Sequence, residues 1–285
     1  VELVRRQKPD QHRDEGCQLD PDRYMMRVVQ NMVVGCHVDR ALTRRRGFAR
    51  LAVALVLGQQ VPDLPAVAAH LVADHVEQLA AEGLIGLVFG NSPKAIAPWG
   101  GSEGIFGTNP IAFAAPRHSE PPLVIDLSLS KVARGKVMVA AKQGEPIPVG
   151  WALDKDGRPT TDADAALQGT MLPMGDAKGA ALVMMVEILA AALTGARFGF
   201  EASSFFTAEG EPPAVGQWLV AIDPGVFSGG AFAQRLETLI GAILAQPGTR
   251  LPGARRLALR AASARDGVEI PASLYDELKA LSATA

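Results

Sequence analysis

Stretches with apolar residues at helical spacing alternate irregularly along this chain with short apolar runs of strand length. The strongest helical stretch is 172–193, where a loop bracketed by Gly175 and Gly179 feeds Leu182, Met185, Val186, Leu189 and Leu193. Glu187 alone interrupts it, and a helix apolar on nearly all sides is expected inside a core. It is too short to span a bilayer. Helices are also predicted at 24–34, at 67–79 with Gly83 as C-terminal cap, and at 128–143 with Gly144 as its stop. Further helices are expected at 162–167, at 231–244 with Phe232, Leu236, Leu239, Ile240 and Ile243 on one face, and at 273–281, capped by Ser273.

Strands are predicted at 84–89, 111–115, 123–127 and 217–222, while 48–57 reads equally as helix or strand. Residues 146–151 are extended, Asp154, Lys155, Asp156 and Gly157 form a hairpin-type turn, and Pro224 with Gly225 turns the chain after the 217–222 strand. Loops are expected at 99–107, 207–215 and 251–256. The irregular order of helices and strands, with no Gly-x-Gly-x-x-Gly after a strand, predicts an α/β fold with a large mixed sheet, surrounding helices and no Rossmann topology.

Composition changes this picture little. With 285 residues the chain suits one large domain or two small ones, and 48% hydrophobic with 20% charged residues is ordinary for a globular protein. A net charge of -2 gives no argument for nucleic acid or a membrane surface. With no long apolar run and a charged start, the expectation is a cytoplasmic protein without membrane contact. Cys17 and Cys36 lack paired metal spacing, and His12, His37, His70, His75 and His118 are scattered, so no metal is expected. P-loop, H-E-x-x-H and G-x-S-x-G motifs are absent.

Three loops carry what chemistry there is: Gly107-Thr108-Asn109-Pro110, Gly175 to Gly179 with Lys178, and the basic segment from Arg250 to Arg256. Gly175 and Gly179 either permit a turn and a close helix approach or, with Lys178 and the free N–H groups of a helix start, frame an anion site. Spacing alone does not choose. Together the three loops offer the backbone donors, hydroxyl, amide, lysine and arginines that a pyrophosphate and a small carboxylate require.

The in-order segments Phe106-Gly107-Thr108-Asn109-Pro110, Val124-Ile125-Asp126-Leu127-Ser128, Ala133-Arg134-Gly135-Lys136, Ile147-Pro148-Val149-Gly150-Trp151, the Gly175 to Gly179 loop and Leu251-Pro252-Gly253 resemble the malate/L-lactate dehydrogenase type 2 family. These are NAD(P)-dependent oxidoreductases. The resemblance leans toward the branch that reduces Δ1-piperideine-2-carboxylate and Δ1-pyrroline-2-carboxylate, through 198–206 and the Arg250 to Arg256 loop. It implies the non-Rossmann type 2 fold, a small-molecule substrate and a homodimer. It also implies NADPH as cofactor (NADH possible), because paired arginines suit a 2′-phosphate.

By the same resemblance Asp126, Leu127, Ser128, Ala177, Lys178, Arg250, Leu251, Pro252, Gly253, Ala254, Arg255 and Arg256 meet the cofactor. Thr108, Arg134 and Gly135 meet the substrate, and His37 and Lys136 are the catalytic candidates. Two departures bear on substrate. The imine branch commonly has a histidine where this chain has Ala177 and an aspartate where it has Lys136, whereas lysine is usual in the hydroxy-acid branch. A dehydrogenase of malate, lactate or ureidoglycolate type is therefore the alternative activity.

The family's Ser-His-Gly and second Ser-His motifs have no counterpart here, so 1–71 reads as an altered or shortened N-terminal region and 72–285 as the cofactor- and substrate-binding body. Gly35-Cys36-His37 resembles the run-in to the first motif, which makes His37 either the proton donor or an ordinary surface residue. An inactive cofactor-binding scaffold is the remaining alternative.

Overall fold

The computed structural model describes residues 72–206 and 210–270, together with backbone at 51–52, 57–58, 272, 275 and 279. All of these belong to one compact unit, Arg46–Ala285; the other unit, Val1–Arg45, lies outside the described residues, as do His37 and the expected helix at 24–34. In chain order the elements are β1 (Leu51–Ala52), β2 (Leu57–Gly58), α1 (Val72–Ala81), β3 (Ile85–Gly90), β4 (Ile111–Ala115), β5 (Leu123–Leu127) and α2 (Arg134–Gln143). There follow β6 (Ala152–Leu153), α3 (Ala163–Gln168), β7 (Thr170–Met171), α4 (Asp176–Glu187), β8 (Gly216–Ile222), α5 (Pro224–Ser228), α6 (Phe232–Leu244) and α7 (Ala254–Asp266).

The main sheet runs β1-β8-β3-β4-β5, with β2 also on β8, and every one of these pairings is antiparallel. The expected mixed sheet is thus an antiparallel one, in which neighbouring strands need no crossover helix between them. β6 and β7 form a separate two-stranded ribbon. Within the 48–57 run only 51–52 and 57 are described, and these are strand: β1 and β2 both pair with β8.

Register explains how α1 docks. Gly86 stands opposite Ala114 and Ala221, and Val88 opposite Ala112, so one face of the sheet carries small side chains. Val72, Val76 and Leu79 of α1 are buried there, and each contributes about 1.5–3 kcal/mol by leaving water. The approach is close: a side-chain carbon on Gly86 would lie 3.0 Å from the Val76 backbone and from Leu79. The opposite face carries a second core of Ile96, Leu129, Val137, Met171, Val183 and Val186, with Phe89, Ile111 and Leu127 packed on it. α6 adds Leu236 and Ile240 against Ala115.

Several expectations are corrected. The helix expected at 128–143 begins only at Arg134. Before it, Ser130 Oγ lies 2.7 Å from Ser128 Oγ and 2.7 Å from the Val132 carbonyl, local bonds that compete with a helical ladder. The loop expected at 251–256 is helical from Ala254, with Gly253 as a left-handed cap at φ 75. The turn at Pro224 and Gly225 becomes the short helix α5, capped by Asp223.

The central helix is not buried on all sides. Gly179, Ala180, Val183 and Val186 face the core, but Met184, Met185, Ile188 and Leu193 are exposed, the last two at 53% and 57%. Beyond Glu187 the helix widens into a π-type turn at Ile188–Ala192. Thr194 Oγ1 donates to the Ala190 carbonyl at 2.6 Å there, and the start of β8 presses on the same carbonyl at Gly216. Such turns tend to mark functional sites.

Candidate active site

The long segment between β3 and β4 closes on Thr108, Asn109 and Pro110, and its placement follows from where its polar groups bond. The Thr108 N–H donates to Ser92 Oγ at 3.0 Å, and the two hydroxyls lie 3.3 Å apart. On its other side the Thr108 carbonyl accepts from the Leu129 N–H at 2.8 Å and from Ser128 Oγ at 3.4 Å. Thr108 is therefore held between the loop after β3 and the end of β5. Asn109 stands in the left-handed region at φ 39.

The end of β5 is tied in turn to the start of α4. Met174 N–H donates to the Leu129 carbonyl at 2.8 Å, Lys131 N–H to the Leu172 carbonyl at 2.8 Å, and Ser130 bridges to Pro173. α4 then starts through Gly175 at φ 66 and Asp176 at φ 55, the latter an uncommon conformation for a residue with a side chain. Gly179 is required because any side chain there would collide with the Met174 carbonyl. Gly175 thus permits the turn and Gly179 the close approach, and the same turn leaves Ala177 and Lys178 exposed at the helix start. Lys178 makes no hydrogen bond or ion pair among the described residues.

β5 is the last strand of the sheet, and the basic segment covers its free edge. A side-chain carbon on Gly253 would lie 2.9 Å from the Val124 carbonyl, which sets the closeness of that contact. Arg250, Leu251, Pro252, Arg255, Arg256 and Leu259 line an open cleft of about 640 Å³. The arginines differ in what they do. Arg256 Nη2 contacts Glu77 Oε2 of α1 at 3.4 Å, and Arg260 holds the same carboxylate at 2.8 and 3.2 Å. Arg250 and Arg255 are exposed and carry no bond among the described residues.

Asp126 lies on the α1 face of β5, opposite Ala112. Burial pushes its carboxyl above the usual range; the Arg256 charge opposes this and Asp74 adds to it. Arg134, at the start of α2, donates to the Leu167 carbonyl at 3.1 Å and the Lys94 carbonyl at 3.5 Å, and its guanidinium lies 5.9 Å from the Phe206 ring centre. Its burial pulls its pKa below the ordinary arginine value. Gly135 and Lys136 follow on the same turn and are exposed.

The structure thus joins Thr108, Leu127, Ser128 and the Ala177–Lys178 turn through a continuous set of bonds around the end of β5. It puts Arg250 to Arg256 along the same strand's edge beside Asp126. Arg134 reaches this group through Lys94, two residues from Ser92, while no described bond links Lys136 to it. His37 lies outside the described residues. Ser92, Asn91 and Glu77 escaped the sequence reading. Asn91 and Ser92 sit in a loop with no motif of their own, and Glu77 looks like any solvated position on an amphipathic helix.

Comparison with known proteins gives these loops a context. The family model for malate/L-lactate dehydrogenase matches residues 68–279. The chain is 54% identical over 247 residues to the (2R)-3-sulfolactate dehydrogenase (NADP(+)) of Chromohalobacter salexigens, covering 83% of this chain and 74% of that protein. It is 49% identical over 209 residues to Delta(1)-pyrroline-2-carboxylate reductase 2 of Burkholderia multivorans, covering 72% and 61%. The crystal structure of Δ1-piperideine-2-carboxylate reductase from Pseudomonas syringae superposes with a TM-score of 0.69 at 42% identity, over 74% of this chain and 64% of that one. The chain thus spans less than two thirds of the length of both reductases. On the matched residues and the identities together, it belongs to the malate/L-lactate dehydrogenase family of oxidoreductases.

Proposed function

We propose that this chain catalyses NADP(H)-linked hydride transfer at the carbon beside a carboxylate, interconverting a small 2-hydroxy acid with its 2-oxo acid. The observation that carries the reading is the set of bonds joining Thr108, Ser128 and the start of α4 around the end of β5, with the arginine cleft along the same strand. That donor set suits a dinucleotide held outside any Rossmann crevice: an unpaired lysine at a helix start for a phosphate, and free arginines for a 2′-phosphate. Bound NADPH would supply the hydride. Lys178, Asp126, Leu127, Ser128, Arg250 and Arg255 would hold it, with Arg256 fixed on Glu77 as the anchor of the loop. NADH is the weaker partner in this reading because it offers the arginines no 2′-phosphate.

Thr108 and Arg134 with Gly135 would orient the substrate, and the turnover of a His37→Ala variant decides whether His37 is the proton donor or an ordinary surface residue. Lys136 favours a hydroxy acid over an imine, being exposed and free of described partners where a substrate with a second anionic group needs a second cation. The relative at 54% identity, named for sulfolactate, supports the same order. Reduction of Δ1-pyrroline-2-carboxylate or Δ1-piperideine-2-carboxylate is the second reading, supported by the reductases at 40–49% identity.

A homodimer in the cytoplasm completes the proposal. The exposed stripe of Met184, Met185, Ile188 and Leu193 supports the dimer, since contiguous apolar surface of this kind marks interaction sites. Among the described residues no helix is long and apolar enough to cross a membrane. The test is a comparison of kcat/KM, with NADPH, for 3-sulfopyruvate, pyruvate, oxaloacetate and Δ1-pyrroline-2-carboxylate. A preference for the imine would reverse the order of the two readings, and a Lys136→Asp variant should shift the ratio toward it.

A further inference from the structure

Glu187 is the single ionisable residue in the apolar run of α4, it is 4% exposed, and none of the roles above uses it. Its Oε1 accepts from Asn91 Nδ2 at 3.2 Å and from the Gly199 N–H at 2.7 Å. Its Oε2 accepts from Asn109 Nδ2 at 2.7 Å. No cation pairs with it among the described residues. A buried carboxylate without a cation carries a desolvation cost that an apolar residue would avoid, so stability alone does not account for glutamate here.

The surroundings demand a group that accepts on both sides. Asn109 Nδ2 also donates to the Val183 carbonyl at 3.0 Å, and Asn91 Nδ2 to the Arg197 carbonyl at 2.8 Å. Asn91 Oδ1 meanwhile accepts from the Gly216 N–H at 2.7 Å. Both amides are thereby locked with their NH2 groups toward Glu187, and the Gly199 N–H cannot turn round. Only a carboxylate satisfies every one of these donors.

The two asparagines are chain neighbours of Ser92 and Thr108, whose hydroxyls lie 3.3 Å apart. Fixing residues 91 and 109 therefore fixes Thr108 and the Ser92 hydroxyl that holds it. We infer that Glu187 is a positioning residue: through Asn91, Asn109 and Gly199 it sets the placement of Thr108, and of the Ser92 hydroxyl that holds it, relative to the reacting carbon. This rests on the reading of Thr108 as a substrate contact. No bond joins the side chains of Lys178, Arg250 or Arg255 to Glu187, Asn91 or Asn109, so the effect of Glu187 is expected at Thr108 rather than at those three cofactor contacts.

The test uses the full chain with NADPH and the best substrate of the panel above, comparing wild type with Glu187→Gln. Glutamine keeps the size but turns one acceptor into a donor facing donors. A misplacement of the reacting groups by about 1 Å lowers kcat/KM on the order of 10²-fold, and the dissociation constant for NADPH should stay as in the wild type. A purely structural role would lower the melting temperature and leave the kinetics of the folded enzyme alone, and that result overturns the inference. So does a loss of NADPH affinity in step with the loss of turnover. If Glu187→Gln does not fold, Glu187→Asp, which keeps the acceptors but shortens their reach, is read by the same two numbers. A wild type that turns over no 2-oxo or 2-imino acid overturns the activity reading first and this inference with it, whereas an active wild type matched by its variants overturns the inference alone.

Discussion

Asp126 shows how a single side chain can set stability against function. Its carboxyl is pushed up by burial, with Arg256 opposing and Asp74 adding, so folding favours the protonated form more than the unfolded chain does. The stability that this preference contributes is fully present below the unfolded carboxylate value of about 4 and is lost as pH rises through the higher folded value. Asp126→Asn fixes the neutral state. It should melt higher than the wild type at pH 7, with the gap closing as the buffer approaches pH 4, and it should bind NADPH less well. Melting curves across that range check it; a variant that melts lower at neutral pH would contradict the assignment. At the same scale, Thr108 and Lys178 drew attention in the sequence because a hydroxyl and a lysine in glycine-bearing loops stand out from an apolar chain, whereas Ser128 entered only through the family resemblance. Ser92, Asn91 and Glu77 were not legible, because their partners are far away in the chain and only folding brings them together.

At the scale of elements, most of the sheet was readable. The strands 111–115 and 123–127 fall where their apolar runs place them, β3 is shifted by one residue at both ends, and β8 starts one residue early. Helices failed where side chains offered the backbone another bond or where burial depended on a neighbour. Ser128 and Ser130 delay α2, and the apolar composition of α4 disguised a helix with one face in water. Packing of α1 was hidden in the same way, because only strand register reveals that Gly86, Ala112, Ala114 and Ala221 share a face. Gly86→Val should force Val76 and Leu79 off that face. Overpacking of this kind costs about 1–3 kcal/mol, to be read from urea unfolding. Wild-type stability in the variant would mean that α1 sits further from the sheet than 3.0 Å contacts allow.

At the scale of the molecule, two surfaces define the account. One is the exposed stripe on α4 and its π-type extension, which a dimer would cover. Ile188→Asp places a charge in the middle of it, and light scattering should then report a dimer for the wild type and a monomer for the variant; equal masses would remove this face from any interface. The other is the proposed cofactor surface where β5 ends and α4 begins, and it carries the central claim. Titrating NADPH into the full chain by nicotinamide fluorescence, for wild type and Lys178→Ala, tests that claim most directly. A charge-assisted bond contributes about 1.5–3 kcal/mol, so the dissociation constant should rise about tenfold or more. Removing an exposed lysine should leave stability within about 0.5 kcal/mol. An unchanged dissociation constant in a folded variant, or no NADPH binding by the wild type, would contradict the placement of the cofactor at this site.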